Sequence, residues 1–293
     1  MIGIEIAGIN ISVSCGDARI LCDLGPAYAP FLKSPEGPEY DIEIQIKLGA
    51  MPSTEGMTRI FESGESWSMF LKGDRYVAAL NPPGCSGRPA WLAEFSPDDA
   101  HVTVYCGEVF IHEKERVTSV SSPFRYPLDQ ILFMYFLSKK QGAVLHAAGL
   151  AVDNRGYVFP GRSGAGKSTL TKQFVLKGHR GLLSDDRIVV REIDGAFRIF
   201  GTPWPGEGRI ASNESSPLSG IYFLTKDTRD HIERIDQQRA LERLLPVASI
   251  PWYDRAAVIK MLPFFENLVS KVPAFDLHFR PGTEVVDVFE KLA

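Results

Sequence analysis

The sequence predicts a mixed α/β protein, α+β overall: a β-rich N-terminal domain followed by an α/β core with a phosphate-binding loop. Three observations predict it. Over the first ~120 residues, apolar and polar side chains alternate between turn clusters, as in half-buried strands. Beyond SSPFRYP, Ser121 to Pro127, strands alternate with segments of helical periodicity. Between one such strand and helix, Gly161 to Thr169 read GRSGAGKST, a full match to G-x-x-x-x-G-K-[ST].

Composition sets the bounds. The chain has 293 residues, 44% hydrophobic and 23% charged, enough for one large or two ordinary soluble domains. A net charge of −4 gives no general affinity for nucleic acid or an anionic membrane. The N-terminus MIGIEIAGINISVSC lacks the basic start and continuous apolar core of a signal peptide. No apolar run reaches spanning length, and LDQILFMYFLSKK is too short. A cytoplasmic protein is expected. Cys15, Cys22, Cys85 and Cys106 have no CxxC spacing and read as free, buried or half-buried thiols. The six histidines are scattered singly, so no zinc site is expected.

The first domain is assigned to residues 1–124. Ile2 to Val13, Asp41 to Leu48, Trp67 to Leu71, Tyr76 to Leu80 and His101 to Cys106 alternate as strands. Turn clusters at 34–39, 62–66, 82–89 and 96–99 separate them. The segment carries no chemical motif and reads as structural or substrate-selecting.

The second domain is assigned to residues 125–293. Leu128, Ile131, Leu132, Met134, Tyr135 and Leu137 space an amphipathic helix that Gly142 ends. Next comes the strand AVLHAAGLAV, with turn chemistry at Asn154, Arg155 and Gly156 between Val152 and Tyr157. This makes a hairpin and puts His146 beside the strand that feeds the loop. The helix after Ser168 holds Leu170 and Phe174 and stops at Gly178. Further strands are expected at Arg187 to Val190, Phe197 to Phe200, Gly220 to Leu224 and Ala274 to Phe279. Further helices are expected at Arg239 to Leu245, Met261 to Val269 and Val285 to Leu292.

The loop carries the chemistry. Its glycines let successive amides of Gly161, Arg162, Ser163, Gly164, Ala165 and Gly166 turn toward a polyphosphate, and Lys167, Ser168 and Thr169 open a helix. Lys167 reaches the outer phosphates of a nucleoside triphosphate, and the Ser168 hydroxyl ligates Mg²⁺. Asp185 and Asp186 end the strand that follows the loop helix. Neighbours on an extended segment point to opposite sides, so the two acids cannot do one job. One carboxylate faces the metal, and the other takes the proton of an acceptor hydroxyl. The loop GTPWPGEGRIA offers an exposed aromatic, Trp204, to line a groove, and Glu207 to assist the metal.

The stretch HAAGLAVDNRGYVFPGRSGAGKSTL, with its spacing to GHRGLLSDDRIVV, resembles the catalytic domain of bacterial HPr kinase/phosphorylase. It is similar also to the HPr-kinase-related kinases found beside peptide-modifying genes, such as lasso-peptide kinases. More distantly it resembles the nucleotide-binding core of phosphoenolpyruvate carboxykinase. The resemblance runs from Pro127 onward and is tight from His146 to Val190. It implies that Asp185 is the base for the acceptor hydroxyl, and that Asp186 and Ser168 lie around the metal. It places His146 near the transferring phosphate and matches Glu207 and Arg209 to a glutamate and an arginine of the family. It also implies a reverse phosphorylase step and a homo-oligomer. The N-terminal segment does not resemble that family's N-terminal domain.

The expected activity is transfer of the γ-phosphate of ATP, with Mg²⁺, to a hydroxyl, first a serine of a peptide or small protein. A metabolite acceptor, and a non-catalytic nucleotide-binding regulator, stay open. Arg239, Arg243 and Arg255 read as solvated helix residues rather than phosphate ligands. His278 reads as a core or edge residue, and Trp252 and Tyr253 as core packing after Pro251.

Overall fold

The computed structural model describes residues 1–16, 19–21, 24–34, 39–64, 66–81, 89–114, 117–280, 282 and 284–291. Cys22, Cys85, most of the turn clusters at 34–39 and 82–89, and the end of the last expected helix lie outside them. The content is mixed α/β, mostly strands in sheets. The chain divides into two compact units, Met1–Phe136 and Leu137–Ala293.

The first unit contains β1 (Ile2–Ile6), β2 (Ile9–Ser14), β3 (Arg19–Leu21), β4 (Leu32–Lys33), β5 (Ile42–Leu48) and β6 (Thr58–Ser63). It continues with β7 (Trp67–Lys72), β8 (Arg75–Leu80), β9 (Trp91–Phe95), β10 (His101–Cys106), β11 (Ile111–Lys114) and β12 (Val117–Ser121). Nine of these form one sheet in the order β4-β1-β2-β5-β10-β9-β8-β7-β6, and β11-β12-β3 form a second. The alternating run from Ile2 to Val13 is a hairpin, not one strand. Ala7 and Gly8 turn it with φ of 56° and 70°, the positive pair that a tight two-residue hairpin requires. Ile4, Ile11, Val13, Ile42, Ile44 and Ile46 are buried, as period-two patterning dictates. Cys15 and Cys106 are buried free thiols; burial pushes Cys106 up to about 12.

The helix α1 (Leu128–Lys139) carries the chain from one unit into the other. It was expected to be amphipathic, yet most of its residues are buried, Asp129 included. The Tyr28 hydroxyl donates to the Asp129 carboxylate, which makes that burial tolerable. Gly142 does not end this helix. Gln141 takes the left-handed φ of 51°, and Gly142 is already the first residue of the next strand.

The second unit contains β13 (Gly142–Val152), β14 (Arg155–Pro160), α2 (Lys167–Leu176), β15 (Leu182–Ser184), β16 (Arg187–Ile193), β17 (Ala196–Phe200) and β18 (Ser215–Lys226). After them come β19 (His231–Ile235), α3 (Gln237–Leu244), α4 (Arg255–Lys271), β20 (Ala274–Phe279) and α5 (Glu284–Glu290). The sheet runs β14-β13-β16-β17-β18-β20-β19, and β14 also pairs with β18, so part of it closes on itself. The hairpin turn falls one step earlier than the sequence indicated. Asp153 and Asn154 take positive φ, and Gly156 pairs within β14.

Both faces of this sheet are covered, which is why YVF, IYFL and AVL read as continuous apolar runs. On one face, Phe197, Ile221 and Phe223 pack with Leu244, Phe265 and Leu268 of α3 and α4. On the other, Tyr157, Phe159 and Tyr222 pack with Leu170, Phe174 and Phe289 of α2 and α5. Arg239 and Arg243 of α3 both pair with Asp276 of β20, a carboxylate only 1% exposed. Trp252 is 56% exposed, not core. Pro251 is buried beside it, and the Trp252 amide donates to the Ile250 carbonyl at 2.9 Å.

Candidate active site

The site is built where β13 changes partners. From Gly142 to His146 it pairs with β16, and from Ala147 to Val152 with β14. On the β16 edge, β15 pairs at Gly149 and β16 resumes at His146, leaving Asp185 and Asp186 at the junction. The Ala147 amide donates to the Asp186 carbonyl over 2.9 Å, which keeps the junction on the sheet. The other edge delivers the loop, since β14 ends at Pro160 and the Gly161 amide donates to the His146 carbonyl at 3.0 Å. Three segments distant in sequence therefore meet at His146.

The loop has the backbone its sequence requires. Gly166 precedes α2 with φ 109° and ψ 7°, and a Cβ there would lie 2.5 Å from the Phe279 ring. Only glycine satisfies both the dihedral and the ring. No side chain caps the helix, so its first amides remain available as donors. The Lys167 amino group is buried and folds back over the loop. It donates to the Gly161 carbonyl at 2.7 Å and lies 2.8 Å from His146 Nε2. Ser168 is half-buried at the start of the same helix, and Arg162, Ser163 and Gly164 are exposed.

The two acids diverge as adjacent extended residues must. Asp186 Oδ1 lies 2.9 Å from His146 Nε2, and Oδ2 lies 3.5 Å from Arg187 Nε. Asp185 is 2% exposed and turns the other way. It accepts from the amides of Gly206 at 2.9 Å, Gly208 at 2.6 Å and Ile210 at 3.3 Å. A Cβ on Gly208 would lie 2.7 Å from Asp185 Oδ2, so glycine is needed for this approach. Asp185 thus folds the loop after β17 around its own carboxylate. This was invisible in the sequence, where Gly206 and Gly208 passed as turn residues. Trp204, expected to be exposed on that loop, is 6% exposed. Glu207 and Arg209 stand exposed on it, and Gly206 lies against both Asp185 and Asp186.

His146, Lys167 and Asp186 are therefore brought together, and Asp185 is set apart from them by its amides. Burial raises the Asp186 carboxyl, but the His146 hydrogen bond and the charges of Arg187, His146 and Lys167 outweigh it, and the net shift is below the ordinary value. Burial lowers Lys167 below the ordinary lysine range; Arg187 adds to this, and Asp186 and Asp185 oppose it. One imidazole nitrogen cannot at once accept from an ammonium and donate to a carboxylate. The His146 tautomer therefore decides which of the two contacts is a hydrogen bond.

No family model matches the chain, and no curated protein matches it. Among solved structures the chain is similar to the Hpr(Ser) kinase/phosphatase from Coxiella burnetii. The identity is 14% and the TM-score 0.30, covering 51% of this chain and 91% of that one. No helix among the described residues is long and apolar enough to cross a membrane.

Proposed function

We propose that this chain is an ATP-dependent phosphotransferase that moves the γ-phosphoryl group to a hydroxyl, with a serine of a peptide or small protein as the acceptor. The observation that supports it most is the meeting of Lys167, His146 and Asp186 at the mouth of a Gly-rich loop with an uncapped helix behind it. The loop amides and Lys167 hold the β- and γ-phosphates. Asp186 accepts the acceptor's proton as its oxygen bonds to phosphorus and the bond to the departing ADP breaks. His146 holds Asp186 in place and exchanges the proton with it. Asp185 keeps the loop bearing Glu207 against the site.

The donors present suit Mg²⁺: Ser168, Asp186 and Glu207 offer hard oxygens at the loop and its neighbour. In this reading Ser168 and Glu207 would hold the ion. When bound, Mg²⁺ neutralises phosphate charge that protein donors alone leave uncompensated. The first unit, without a chemical motif of its own, selects the acceptor.

Incubation with γ-labelled ATP and a cell lysate tests this reading. A labelled peptide or protein that disappears with Lys167→Ala is the expected result. A labelled metabolite would move the acceptor to the small-molecule class. ATP binding with no labelled product would leave a nucleotide-binding regulator and refute transfer.

A further inference from the structure

Among the described residues, Asp227, His231 and His278 are metal-ligating side chains whose donor atoms all lie within 4.8 Å of one another. We propose that they form a binding site for a divalent transition metal of the zinc class, separate from the phosphate loop and independent of the phosphotransfer reading.

Strand pairing builds the site. His231 of β19 lies directly opposite His278 of β20 in the antiparallel register. Such cross-strand pairs hold their Cβ atoms about 4.5–5.5 Å apart. The two rings stack with centroids 4.2 Å apart and planes 16° from parallel. Asp227 follows β18 directly, and its amide donates to the Phe279 carbonyl at 3.0 Å, tying it to the end of β20. Its Oδ2 lies 2.9 Å from His278 Nδ1. A tetrahedral ion with bonds of about 2.0–2.1 Å spaces its ligand atoms by about 3.3 Å. Reaching that spacing requires the two stacked rings to tilt so that both nitrogen lone pairs converge on one ion.

The surroundings fit ligation. His231 Nδ1 lies 3.3 Å from the Arg229 carbonyl, the outer partner that leaves Nε2 as the ligand once it gives up its 3.4 Å approach to Glu233 Oε1. Asp230 accepts from the amide and Nε of Arg280 at 2.9 and 3.2 Å, clamping the 227–231 turn onto the end of β20. Thr228 donates its amide to Asp227 Oδ1, leaving Oδ2 directed at the histidine. Two imidazoles and one carboxylate suit zinc, cobalt, nickel or copper rather than magnesium or calcium. Three protein ligands leave a coordination position open for water or a ligand oxygen. The site lies at the carboxyl ends of β18 and β20. Both run parallel to β14, whose own carboxyl end becomes the phosphate loop. Ligands of α/β sheets collect at that end.

Titration of the metal-free full-length chain with Co²⁺ and Zn²⁺ tests the proposal. The expected result is one tight equivalent per chain with the visible absorption of imidazole-ligated Co²⁺, displaced by Zn²⁺. His231→Ala and His278→Ala should each weaken binding by at least about a hundredfold, beyond the loss from removing an outer-shell partner. His278→Asn, which keeps a polar side chain on the strand, gives the same readout if the alanine variant folds poorly. No stoichiometric Co²⁺ binding by the wild-type chain, or binding that survives the His231→Ala/His278→Ala double change, overturns the site.

Discussion

At the scale of single residues, the two adjacent acids have different surroundings. Asp185 is nearly inaccessible and holds three amides, while Asp186 faces His146 and Lys167. Hydrogen bonds to a charged group contribute about 1.5–3 kcal/mol each. Asp185→Asn should therefore lower the unfolding free energy by about 2 kcal/mol or more, seen in a denaturant titration. Asp186→Asn should remove phosphoryl transfer while sparing nucleotide binding and costing less stability. Full turnover in Asp186→Asn would return the base role to Asp185. The Asp186 carboxyl is held below its unfolded value, so its pairing stabilises the fold above about pH 4. That contribution is lost as pH falls through the folded value. The stability gap between wild type and Asp186→Asn should shrink as pH falls from about 5 toward about 3.

At the scale of elements, α3 is anchored to β20 by a buried carboxylate between two arginines. Asp276 is 2% exposed at its side chain, Arg243 29% and Arg239 60%. Arg243 also lies over the Phe223 ring, 4.8 Å from its centroid. Removing one partner of a buried pair leaves a desolvated charge, at about 3–5 kcal/mol. Arg243→Ala should destabilise the protein by about 3 kcal/mol; Arg239→Ala should cost less, because Arg239 is more exposed. Thermal unfolding of the two variants checks the order. The sequence reading treated both arginines as solvated, because Asp276 sits among apolar strand residues with no local hint of its partners. β19 was missed for a related reason. HIERI is a polar edge strand with little apolar alternation, and only its register with β20 reveals it. Elements with strong periodicity, α2 and β14 through β18 and β20, were legible.

At the scale of the whole chain, two units with different architectures share one covalent path through α1. The α/β alternation of the second unit was readable because strands covered on both faces need long apolar runs, here in a sheet whose only parallel pairs among the described residues are β14–β18 and β18–β20. The loop from Gly161 to Thr169 was readable because its backbone demands glycine at fixed steps. The different surroundings of Asp185 and Asp186 were not, since they depend on a loop that returns some twenty residues later. Gly208 lies 23 positions beyond Asp185. The pairing of His231 with His278 was hidden in the same way, by sequence distance. The nine-stranded sheet of the first unit was only half legible: β6 and β9 carry too little regular alternation, and β3, β4, β11 and β12 are short.

The claim beneath the proposed function is that the space beside Lys167, His146 and Asp186 receives a nucleotide's terminal phosphoryl group. A crystal structure with Mg²⁺ and a non-hydrolysable ATP analogue measures this directly. The account predicts the γ-phosphoryl within hydrogen-bonding reach of the Lys167 amino group, with Asp186 turned toward it and Asp185 still bound to the amides of Gly206 and Gly208. A nucleotide bound elsewhere, or an Asp185 released from those amides and aimed at the γ-phosphoryl while Asp186 points away, would contradict it.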